Sequence, residues 1–115
     1  MDVTMQSTVR TITLRARKEA ALARRLETVA LLRQRMAGYS KLHGGRFFLF
    51  GSASRGTMRR DSDVDVLIDF PDEEADAAWT FLEDLAREHG VPIDMHDIRW
   101  CSSRFLEHIR PVELT

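Results

Sequence analysis

Phe47-Phe48-Leu49-Phe50-Gly51-Ser52 and, after ten intervening residues, Asp63-Val64-Asp65 decide how this chain is read. The apolar runs Arg46 to Phe50 and Val64 to Phe70 read as buried strands, the second stopped by Pro71. A buried strand has no use for two carboxylates unless they sit at its exposed end. Asp63 and Asp65, two positions apart, project to the same side of such a strand. Adjacent carboxylates repel, and a cation between them is the natural way to stabilise the pair. Gly51 lets a phosphate approach the backbone closely, and Ser52 adds a hydroxyl donor beside the amides of the next turn. The layout therefore suits a site that holds a triphosphate and magnesium together.

Working outward, Leu22, Leu26, Val29, Leu32 and Met36 recur at three- and four-residue spacings and predict a helix over 14–37, with Gly38 as its stop. Residues 1–12 are polar, lack a clear period and read as a frayed lead-in. Gly44-Gly45 turns into the first strand, and Ser52 to Thr57 forms a short helix or nest. Glu73 to Glu88 reads as a helix that buries Ala75, Ala78, Trp79, Leu82, Leu85 and Ala86, with Gly90 as its stop. Val91 to Ile98 is a third strand with Pro92 near its start. Ser102 or Ser103 caps a last helix through Phe105, Leu106 and Ile109. The order predicts one α/β (α+β) domain over 1–115, a small mixed sheet flanked by helices.

The third strand supplies another carboxylate. Alternation puts Asp94 and His96 on one face and Ile93 and Met95 on the other. If this strand lies beside the one carrying Asp63 and Asp65, three carboxylates converge on two cations. Two metals about 3.5–4 Å apart serve an in-line displacement at phosphorus, with Asp94 on the acceptor side helping to deprotonate the attacking hydroxyl. Asp97 competes for this role but falls on the opposite face from Asp94.

Bulk properties narrow the class. The formal net charge of −1 conceals a division. Residues 1–46 hold ten Lys and Arg against three Asp and Glu, whereas 47–115 hold seven against fifteen. That pattern fits either an acidic metal-dependent site with a phosphate-rich or acidic partner nearby, or arginines that cover a solvated helix face. No apolar run reaches the ~20 residues of a membrane span, and no signal-peptide pattern opens the chain. Cys101 is the sole cysteine, so no intramolecular disulfide can form, and a cytoplasmic protein is the expectation.

Gly51-Ser52, Arg55-Gly56, Ser62-Asp63-Val64-Asp65 and a separate Asp94, over roughly 46–98, resemble the minimal nucleotidyltransferase family of the DNA polymerase beta-like nucleotidyltransferase superfamily. The resemblance implies that Gly51 and Ser52 hold the nucleotide phosphates and that Arg55 steadies the phosphates or the loop. It implies that Asp63, Asp65 and Asp94 are the catalytic, magnesium-binding triad. The implied chemistry is transfer of a nucleoside monophosphate, AMP from ATP or its equivalent from another NTP, with two Mg²⁺ ions and release of pyrophosphate. Proteins of this type often pair with a helical HEPN ribonuclease, which implies an antitoxin that modifies its partner. His96 and Asp97 depart from the apolar continuation usual after the third aspartate, and the extra domain with which larger relatives grip their acceptor is not evident.

Plainer roles stand beside these. Asp63 and Asp65 could mark a solvated loop-to-strand junction, Ser52 a helix N-cap and Arg55 a surface arginine or ion pair. His96 reads as a packed histidine, with a metal or acceptor contact as its second reading. His43, His89 and His108 lack zinc-ligand spacing. Trp79 and Trp100 are assigned to the core, and Cys101 is an inert small residue. The competing function is a non-catalytic binding module that neutralises a partner protein by docking. Nucleic-acid binding through the arginine-rich helix has charge in its favour but no interleaved aromatics. Homo-oligomerisation is left open, and no membrane partner is expected.

Overall fold

A computed structural model describes residues 3–114, with side chains described from Thr13 onward. The frayed lead-in expected over 1–12 and the helix start expected at 14 are corrected: the backbone is already helical from Val3, and only residues 1–2 of that stretch lie outside the described residues. The chain runs α1 (Val3–His43), β1 (Arg46–Phe50), α2 (Ser52–Arg55), β2 (Val64–Asp69), α3 (Asp72–His89), β3 (Ile93–Asp97), a 3-10 turn (Ile98–Trp100), α4 (Ser103–Ile109) and β4 (Val112–Glu113). The four strands form one mixed sheet in the order β3-β2-β1-β4. β1 runs antiparallel to β2 and β4, whereas β2 and β3 are parallel, with α3 as the crossover that a parallel pair requires. The α/β class expected from the sequence is the one observed.

One sheet face carries the main core. Phe47 lies opposite Ile68, and Leu49 opposite Val66. These side chains are buried against Val29, Leu32 and Met36 of α1 and Ala75, Ala78, Leu82 and Leu85 of α3. Both helices show their apolar residues at the three- and four-residue spacing of a single stripe. The opposite face presents Phe50, Leu67 and His96, with Phe105 of α4 standing beside Phe50 and His96. Burial on both faces explains why β1 reads as a continuous apolar run, whereas in β2 Asp65 and Asp69 interrupt the run on the face opposite the main core.

Several expectations are corrected. Gly38 does not end α1, which continues to His43; the left-handed conformation that stops it belongs to Gly44. A Cβ at Gly38 would meet nothing within 4 Å, so this glycine sits on an open side of the helix, where it costs propensity without breaking it. Leu26 is 48% exposed and Leu22 only half-buried, because the described contacts of α1 with the core begin at Val29. Trp79 and Ala86 are half-buried, with Trp79 packed against the core as expected. Trp100 is 81% exposed, with the Arg99 guanidinium over its ring at 5.6 Å. β3 begins at Ile93 rather than Val91: Pro92 has no N–H, and its carbonyl accepts from Val64 N at 3.0 Å. β4 is a further strand beside β1, where Leu114 N donates to Phe47 O at 3.0 Å.

At the end of β3, Asp97 is only 7% exposed. Arg99 clamps it, with Nη2 donating to Oδ2 at 2.7 Å, Nε to both carboxylate oxygens at 3.1 Å and the backbone N to Oδ1 at 3.0 Å. The same guanidinium stands 3.6 Å from Asp72 and 3.8 Å from Asp76, which ties β3 to the start of α3. Hydrogen bonding by Arg99 holds the Asp97 carboxyl below the usual carboxylate range, against the opposing effect of burial. A carboxyl with a depressed folded pKa stabilises the fold fully above its unfolded value near 3.9, and that contribution is lost as pH falls through the lower folded value. Asp97→Asn is therefore expected to destabilise the protein by about 1.5–3 kcal/mol at neutral pH. Thermal melts should show this difference narrowing as pH falls below about 4; a difference independent of pH would assign the loss to packing.

Candidate active site

The site is built where three strand ends meet. β1 ends at Gly51, whose φ of 67° and ψ of −146° fall where essentially only glycine is comfortable. An ideal Cβ at this position would stand 2.3 Å from Asp65 Oδ2, so the missing side chain makes room for the carboxylate. Gly51 O accepts from Ser54 N at 3.2 Å, Arg55 N at 3.3 Å and Ser54 Oγ at 2.9 Å, which closes the single turn of α2. Ser52 begins that turn rather than capping it by its side chain, and the left-handed Gly56 ends it.

β2 brings the carboxylates. Asp65 lies opposite Phe50 on β1 and beside Asp94 on β3 in register, so Asp65 and Asp94 share a sheet face. Asp63 precedes β2 by one residue. The Asp65 carboxyl is pushed above its ordinary range, first by burial, then by the Asp94 charge and a hydrogen bond with Asp94, with a smaller contribution from Asp63. His96 opposes this shift. Its Nε2 stands 3.2 Å from Asp94 Oδ2, and its ring lies 5.4 Å from Phe50 and 5.2 Å from Phe105. Asp97 aligns with Ile68 on the other face and is engaged by Arg99.

Asp63, Asp65 and Asp94 are thus brought to one end of the sheet beside Gly51. Among the described residues, no three acidic, histidine or cysteine side chains already stand in ligating geometry. The donor set nevertheless fits a divalent cation: hard oxygen ligands, like charges crowded at Asp65, and a glycine backbone that leaves space at its carboxylate. Arg55 is exposed and lines a groove of about 540 Å³ between α2 and α4, together with Ser54, Glu107, His108, Ile109 and Arg110.

Arg25 of α1 belongs to the site's support. Its Nη1 donates to Ser62 O at 2.6 Å, which anchors the residue before Asp63 from 37 positions away. Ser62 itself closes the loop, its Oγ accepting from Arg59 N at 2.7 Å. In sequence Arg25 is one of several arginines along this helix, and no local signal separates it from them. Arg25→Ala should leave the fold intact yet loosen Asp63. If Asp63 ligates a metal, as the sequence resemblance implies, the expected result is activity lower by roughly an order of magnitude, with an unchanged melting temperature. A variant with full activity would show that the anchor is dispensable.

The family whose sequence profile matches the chain is described as a nucleotidyltransferase domain, and the match spans residues 30–113. No curated protein matches. Among solved structures, one described as a candidate minimal nucleotidyltransferase is 30% identical, with a TM-score of 0.61 over 73% of this chain and 88% of that one. Another, described as a toxin-antitoxin with AMP-PNP, is 29% identical over 61% of this chain and 59% of that one, with a TM-score of 0.46.

Proposed function

Because the chain belongs to the nucleotidyltransferase domain family, among the minimal nucleotidyltransferases, we propose that it transfers AMP from ATP to a hydroxyl of a partner protein through Asp63, Asp65 and Asp94. The observation that supports this most directly is the register of Asp65 beside Asp94, next to the glycine that accommodates the Asp65 carboxylate. Asp63 and Asp65 would hold two magnesium ions, with Asp94 completing the set on the acceptor side. Bound magnesium would supply charge neutralisation at the phosphates and make the acceptor hydroxyl more acidic.

The chain's own groups account for the remaining requirements. The Gly51 backbone lets the phosphates lie close, the Ser52 hydroxyl donates to a phosphate oxygen, and Arg55 offers a cation to the same chain of phosphates. Asp94 accepts the proton of the attacking hydroxyl. The new bond joins that oxygen to the α-phosphorus, the bond from the α-phosphorus to the bridging oxygen breaks, and pyrophosphate leaves with the electron pair. The acceptor we propose is a HEPN-type partner, with this chain as its antitoxin, as the motif resemblance implies.

Transfer of label from α-labelled ATP, in the presence of Mg²⁺, to a HEPN-type partner protein tests the assignment. Label that requires Asp63 and Asp65 supports it and identifies the acceptor. No label from any of the four NTPs with the partner present would overturn catalysis, leaving a module that neutralises its partner by docking.

A further inference from the structure

We propose that His96 is a positioning residue that fixes the Asp94 carboxylate for the reaction, with Phe50 and Phe105 fixing the plane of its ring. This rests on the role given above to Asp94. Alternation along β3 places His96 on the Asp94 side, where Nε2 stands 3.2 Å from Oδ2. The Asp94 side chain is 56% exposed and His96 only 30%, so the carboxylate meets solvent while its partner is held from behind. A lone carboxylate at a strand edge samples several rotamers, and a contact from a packed neighbour selects one.

The packing around the imidazole is specific. Phe50 and Phe105 flank it, and they meet each other edge-on at 6.0 Å. Phe50 immediately precedes Gly51, and Phe105 is placed by the cap of α4, where Ser102 Oγ accepts from Phe105 N at 3.1 Å. The ring therefore packs between β1 and α4 from its place on β3. An apolar residue at position 96 would fill the same space but present no nitrogen to Asp94.

Two variants separate the nitrogen from the ring. His96→Phe keeps an aromatic ring between Phe50 and Phe105; His96→Gln restores an N–H donor near the place of Nε2. Mn²⁺ binding, followed by electron paramagnetic resonance with a non-hydrolysable ATP analogue, is read beside kcat, KM and the melting temperature. His96→Phe is expected to weaken Mn²⁺ binding and lower kcat by about 10–100-fold, with KM for ATP and the melting temperature unchanged. His96→Gln should recover most of both losses. Wild-type Mn²⁺ affinity in His96→Phe would overturn the proposal, as would a His96→Gln variant no better than His96→Phe. If the wild type binds Mn²⁺ but transfers no label, the transfer reading fails while the effect on Mn²⁺ affinity still decides the role of His96.

Discussion

Asp65→Asn is expected to abolish nucleotidyl transfer while leaving the metal-free protein as stable as the wild type or more so. The loss of transfer follows from removing one of the proposed charged metal ligands. Several kcal/mol of transition-state stabilisation, at about 1.36 kcal/mol per tenfold in rate, corresponds to a fall of roughly 10³-fold. The stability effect has the opposite sign. Burial, then Asp94 and Asp63, raise the Asp65 carboxyl above its ordinary range. A carboxyl with a raised folded pKa favours the fold most below its unfolded value near 3.9, and that advantage is lost as pH rises through the folded value. At neutral pH the ionised group therefore works against the metal-free fold, and asparagine removes the repulsion. Melting in EDTA at pH 7.5 should place the variant at or above the wild type, and Mg²⁺ should raise the melting temperature of the wild type alone. Retained transfer would remove Asp65 from the reaction; a lower melting temperature in EDTA would make its carboxylate structural.

Gly51→Ala is expected to fail in both respects. Its backbone angles carry a penalty of about 1–3 kcal/mol for any residue with a Cβ. The added carbon would also stand 2.3 Å from Asp65 Oδ2. A carboxylate can swing aside, so the chain can still fold, but only with Asp65 displaced from its place beside Asp94. Both a lower denaturation midpoint and a loss of transfer approaching that of Asp65→Asn should appear. Normal turnover in this variant would show that the turn relaxes without moving Asp65, and that the close approach is incidental.

The central elements were legible because each carries a local signal, either an apolar run or a period. Phe47 to Phe50 is an unbroken apolar run, Val64, Val66 and Ile68 alternate with Asp65 and Asp69 across Leu67, α3 shows a clean stripe, and Asp94 and His96 alternate with Ile93 and Met95. Long-range contacts left no such trace. The bond from Arg25 to Ser62 spans 37 residues and resembles any other surface arginine in sequence. Leu26 fits a helical stripe but projects where α1 makes no described contact with the core, and Trp100 is apolar yet rests in solvent under Arg99. Asp97 does carry a local signal, an arginine two positions on, whereas its alternation with Asp94 bears only on which carboxylate faces the site. β4 is two residues long, too short for a period of two to be seen.

The parallel pairing of β2 with β3 carries a consequence for how the molecule assembles. Hairpin-like neighbours such as β1 and β2 can find each other early, whereas β3 can pair only after the chain has travelled through the whole of α3 and returned. From sequence separation, Asp94 is expected to reach Asp65 in a later step of folding, where one carboxyl group approaches another. On the proposed reading, a divalent cation acts at this step as a folding ligand, because it binds the closed arrangement and not the open one. The seating of β3 and the completion of the carboxylate set become a single event, so a chain that has lost its grip on that strand has no reactive site with which to modify anything.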